Sequence, residues 1–90
     1  MSKVYLVTYD LNSEGQDYEG IKSAIKQYEC CYVMQSVWLV YSTKTASGVY
    51  DTLEPYIDKN DWLYVVEITS NRRGRLPSNV CQWIKERLNK

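Results

Sequence analysis

Residues 4–10 read Val-Tyr-Leu-Val-Thr-Tyr-Asp, apolar or β-prone at every position until the closing carboxylate. An unbroken run of this length predicts a strand that is buried on both faces. The polar stretch 12–16, broken by Gly15, predicts a loop. Tyr18, Ile21, Ala24, Ile25 and Tyr28 then recur at helical spacing, with Lys22 and Lys26 off that face. Asp17 and Glu19 near the start of this helix complement its dipole. From Cys31 to Ser42 the chain is β-prone again, and Gln35-Ser36 in its middle predicts two antiparallel strands, about 30–35 and 36–42, or one strand strongly bent there. Thr45 is the expected N-cap of a second helix with Ala46, Val49, Tyr50, Leu53 and Ile57 on its apolar face. Gly48 weakens that helix slightly, and Pro55 distorts its last turn. Residues 58–61 (Asp-Lys-Asn-Asp) predict a turn with a structural role for Asp58 and Asp61, and 62–68 predict a fourth strand. After the loop "SNRRGRLPSN", Ser78 is expected to cap a short helix over 79–89, with Val80, Trp83, Ile84 and Leu88 along one side.

The order β-α-β-β-α-β defines the fold class as α+β, a ferredoxin-like antiparallel sheet followed by a basic loop and a short helix. The 90 residues form a single domain, with 70–90 as a C-terminal extension. Two helices cover only one face of such a sheet, yet strands one and four are apolar on both. A second copy packed sheet to sheet is the expected cover, with the C-terminal segment as the alternative.

Composition narrows the chemistry. The chain contains no His, which removes the commonest general base and metal ligand and every Ser-His or Cys-His arrangement. It has neither a GxxxxGK[ST] nor a GxGxxG loop. The three Cys include an adjacent pair and no CxxC, so they read as half-buried thiols of a reducing compartment. With no signal-peptide pattern and no long apolar run, a cytoplasmic protein without a membrane partner is expected. Nine Tyr and three Trp, with no Phe, suit either an interface or ordinary strands. Zero net charge conceals an asymmetry: residues 1–70 carry ten acids and five Lys, residues 71–90 six bases and one acid. A basic tail on an acidic body can meet phosphate or dock on acids of its own or a sister chain.

Asp10 is the first candidate for chemistry. Paired across a two-fold axis, two copies would repel unless a cation lay between them, and Mg²⁺ or Mn²⁺ held there can activate water against a phosphodiester. Alternatively, Asp10 forms a turn, together with Asn12 and Ser13. "YLVTYDLN" at the start and "MQSVWLV" at 34–40, with the element order between them, resemble the small CRISPR-associated nucleases that partner the spacer integrase. The same stretches are similar to the VapD-type ribonuclease toxins. The likeness spans roughly residues 3–69 and leaves the tail outside. It implies a ferredoxin-like homodimer, either a metal-dependent nuclease of RNA or DNA or a non-catalytic scaffold. It places the metal-binding strand-one Asp at Asp10 and the strand-three Ser at Ser36.

Two departures follow. Glu14, Asp17 and Glu19 stand where such proteins often carry bases, and an acidic rim opposes phosphate. The tail ends in a helix, and its Arg72, Arg73 and Arg75 can instead supply bidentate phosphate contacts or pair with partner acids. The expected function is a Mg- or Mn-dependent endonuclease acting as a homodimer. The alternative is a non-catalytic dimeric adaptor that binds nucleic acid or blocks a protein partner.

Overall fold

The computed structural model describes residues 1–12 and 18–89. The expected loop at 12–16 with its Gly15, and the side chains of Glu14 and Asp17, therefore fall largely outside the described residues. The elements are β1 (Lys3–Asp10), α1 (Tyr18–Ile25), β2 (Glu29–Met34), β3 (Val37–Ser42), α2 (Ala46–Leu53), β4 (Trp62–Ile68) and α3 (Ser78–Leu88). A 3₁₀ turn, Glu54–Tyr56, follows α2, where Pro55 forbids a continuing α-helical hydrogen-bond ladder. The Thr45 hydroxyl accepts from the Gly48 backbone N–H at 3.1 Å and caps α2 as its sequence predicts.

The four strands form one antiparallel sheet in the order β2-β3-β1-β4. β1 and β2 are thus parallel to each other, linked through α1 with β3 between them. Gln35-Ser36 is the turn between β2 and β3, and Ser36 adopts φ 63°, a left-handed conformation that costs a non-glycine residue about 1–2 kcal/mol.

Both faces of the sheet carry a core. On one, Tyr5, Val7 and Tyr9 of β1 and Trp38 and Val40 of β3 pack under Ile21 and Ile25 of α1 and Val49 and Leu53 of α2. On the other, Val4, Val33 and Leu39 pack against Val80 and Ile84 of α3. Of the two covers expected for this face, the alternative is the one seen: the chain's own C-terminal helix occupies the β1–β3–β2 part of it. The reason is α3's apolar stripe, which Arg87 fastens in place. Its guanidinium pairs with Glu29 at the start of β2 at 2.6 Å and stacks on Trp83 at 4.0 Å.

Ser78 does not cap α3. It is the first helical residue, and Pro77 takes the N-cap position with φ −54° and ψ 146° and no side-chain hydrogen bond. The Pro77 carbonyl instead accepts from Val80 and Cys81. Proline pre-sets the backbone angle at which a helix can begin, so a hydroxyl cap is not required.

Candidate functional site

The α3 cluster reaches β4 at Ile68, which leaves Trp62, Tyr64 and Val66 exposed on the same face. Register places Thr8 opposite Tyr64 and Asp10 opposite Trp62, with Val66 beside Leu6. Trp62 is 69% exposed and Tyr64 66%. Alternation explains both: Leu63 and Val65 point at the two-helix core, so their neighbours point away from it. A shallow cavity of about 230 Å³ lies between Thr8, Asp10, Trp62 and Tyr64.

Asp10 ends β1, is exposed, and makes no hydrogen bond or ion pair with a described residue. The turn work that its position suggested is done by Asp61 instead. That buried carboxylate accepts from the backbone N–H groups of Asn12 and Asp58, both at 2.8 Å, and the Asn12 side chain donates to the Asn60 carbonyl. Asp61 thereby latches the end of β1 to the start of β4.

Ser36 sits at the same end of the sheet, its carbonyl accepting from the Tyr9 N–H at 3.2 Å. Its side chain nevertheless belongs to a different cavity, on the two-helix side, with Tyr9, Tyr18, Lys22, Tyr32 and Trp38. Asp10 and Ser36 therefore share no cavity within one chain. Arg72 and Arg73 line a third, apolar cavity of about 350 Å³ between the sheet and α3, while Arg75 is exposed in the loop. Arg72 donates to the Thr69 carbonyl at 3.1 Å, and neither Arg73 nor Arg75 pairs with an acid among the described residues. Trp83, expected on the apolar side of α3, carries the Arg87 guanidinium on its ring.

A divalent ion needs several oxygen ligands and is commonly held by one or two carboxylates with waters. Among the described residues no group of three or more acidic, Cys or His side chains gathers at one point. At this face Asp10 is the described carboxylate that borders the cavity.

The residues missed by sequence reading are Tyr9 and Trp38. Both are core residues with polar tips, and neither Tyr9 Oη nor Trp38 Nε1, each fully buried, makes a hydrogen bond among the described residues. Burial holds the Tyr9 phenol above its ordinary 10.0, and nearby Tyr18, Tyr32 and Glu19 add to that effect. The Trp38 indole opposes it, lying close without reaching hydrogen-bond geometry. A signal was available: the alternation that buries Val7 and Val40 also buries Tyr9 and Trp38 at one end of the same face. Burial likewise raises the Cys30 and Cys31 thiols, which keeps them protonated and unreactive at neutral pH.

No protein-family model matches the chain. No helix among the described residues is long and apolar enough to cross a membrane.

Proposed function

We propose that this chain is a ferredoxin-like nucleic-acid-binding protein, cytoplasmic and homodimeric, related to the small CRISPR-associated and VapD-type nucleases. The observation that carries the reading is the exposed Trp62–Tyr64 pair on the sheet face opposite α1 and α2, with the Arg72–Arg75 loop beyond the other end of the same strand. Aromatic rings on an open sheet face stack bases, and arginines further along the strand can hold the phosphates of a bound chain. The strand order β2-β3-β1-β4 with its two β-α-β units supports the ferredoxin-like assignment. The three cysteines, none in a disulfide, accord with a reducing compartment.

Binding of a short labelled single strand, followed by anisotropy across a salt series, tests this. Trp62→Ala and Tyr64→Ala are each expected to weaken binding by roughly 5- to 100-fold, the range of one lost stacking contact. Arg73→Ala should lower the salt dependence by about one ion. Absence of affinity at low salt overturns the reading and leaves the same patch as a surface for a protein partner.

A second reading, the metal-dependent endonuclease, is favoured by the exposure of Asp10 beside Trp62. In this reading a dimer brings a second Asp10 to the ion, since two carboxylates with waters are a common divalent-ion ligand set. Cutting of RNA or DNA that needs Mg²⁺ or Mn²⁺ and disappears in Asp10→Ala would establish it.

A further inference from the structure

The cavity on the helix-covered face is separate from the surface just described, and its chemistry differs. It measures about 270 Å³, slightly below the ~300–1,000 Å³ of sites for drug-sized ligands, so it suits one small ring system. Four aromatic rings contribute to its walls. Tyr32 meets Trp38 edge-on at 5.3 Å and 79°, and Tyr9 meets Tyr18 at 6.3 Å and 47°. Neither pair stacks face to face. Lys22 lies on the rim, and Lys26 sits 6.0 Å from the centre of the Trp38 ring.

Two buried donors give the cavity its polarity. Tyr9 is 4% exposed and Trp38 7%, both line the cavity, and the hydroxyl of one and the indole nitrogen of the other lack partners among the described residues. Buried polar groups are almost always satisfied, because leaving one unpaired costs about 1–3 kcal/mol. Two such donors beside one cavity can be satisfied by an acceptor brought into it. Beside them Ser36 is held in its left-handed conformation, at the place where the backbone meets Tyr9. Strain of this kind concentrates at binding sites.

We propose that this cavity is a nucleobase site. A planar, carbonyl-bearing heterocycle lies among Tyr18, Tyr32 and Trp38 and accepts hydrogen bonds from Tyr9 Oη and Trp38 Nε1. Lys22, at the rim, faces the phosphate attached to that base, and the Ser36 hydroxyl and Gln35 amide are placed to read its edge. The inference does not rest on the sheet-face reading, since Trp62 and Tyr64 lie on the opposite face. The base may arrive as a free mononucleotide or as one residue of a strand, and the experiment separates the two.

The chain has three Trp, so three indole N–H signals report separately on this cavity (Trp38), the open sheet face (Trp62) and α3 (Trp83). The ¹⁵N-labelled full chain is titrated with UMP, GMP, AMP, ribose 5-phosphate and a short oligouridylate. UMP and GMP are expected to move the Trp38 indole signal. AMP, which has no ring carbonyl, should bind roughly tenfold more weakly, and ribose 5-phosphate should leave the signal in place. Calorimetry should show that Tyr9→Phe and Trp38→Phe each weaken UMP roughly tenfold, while unliganded Tyr9→Phe melts no lower than wild type because it has lost only an unpaired buried hydroxyl. A Trp38 response to mononucleotide means a free-nucleotide site, and a response to the oligonucleotide alone means a base within a strand. If no nucleotide moves Trp38, or ribose 5-phosphate moves it as UMP does, the proposal is wrong. It is equally wrong if both Phe variants bind UMP unchanged, in which case a buried water satisfies the two donors. A shift of Trp62 alone would sustain the sheet-face reading while sinking this one.

Discussion

Asp61→Ala is expected to lower the thermal midpoint by roughly 15 °C, the most damaging single truncation of a polar side chain in the described fold. The Asp61 carboxylate holds the backbone N–H of Asn12 and of Asp58. Hydrogen bonds to a charged acceptor contribute about 1.5–3 kcal/mol each, and losing both with their donors left in place amounts to roughly 3 kcal/mol. In a domain of this size each kcal/mol moves the midpoint by about 4–8 °C. Asp61→Asn keeps one acceptor oxygen and should recover part of the loss. Calorimetry on the three proteins decides the matter. A midpoint for Asp61→Ala within a few degrees of wild type would mean that water replaces the latch.

Ile84→Asp is expected to release α3 without unfolding the rest. Ile84 is 4% exposed against Val4, Val33 and Leu39, and an unpaired carboxylate cannot remain there. The two-helix core of Tyr5, Val7, Ile21, Ile25, Trp38, Val49 and Leu53 contains no α3 residue, so it should survive the helix's departure. Amide exchange should then be fast over 78–88 and remain slow in β1 and β3. The uncovered face should also self-associate, visible as a larger species by light scattering. Ile84→Ala, which leaves a cavity and no charge, should cost about 2–4 kcal/mol and keep α3 docked. Cooperative unfolding of the whole chain by Ile84→Asp would show that the two cores are one unit.

These two sites mark where sequence reading succeeded and where it stopped. Gln35-Ser36 between two β-prone runs, Thr45 before an amphipathic stretch and Pro55 at its end each act locally, so their roles were legible in order along the chain. So was the apolar character of both faces of β1. What covered the second face was not, because the stripe Val80-Ile84-Leu88 would suit a partner's sheet as well as its own. Only the three-dimensional path of the Arg72–Pro77 loop decides between them. The candidate site was legible in part. Asp10 lies at the strand end as expected, but its separation from Ser36 follows from pleat alternation and the left-handed turn, which place the two side chains on opposite faces. The Asp61 latch joins residues 49 positions apart, and no local pattern announces it.

The central place of β1 also governs how the chain can reach this structure. Its two neighbours are β3 and β4, and Val4 pairs with both Tyr41 and Ile68. Only β2 and β3 are joined by a short turn, so every other ladder in the sheet must close a long loop before its first hydrogen bond repays the lost chain entropy. The β2–β3 hairpin is the natural seed, and β1, the first strand in the sequence, is held waiting for the last. Folding of this domain is thus limited by the meeting of its distant ends, and the latch at Asn12 and Asp61 stands where that meeting is sealed.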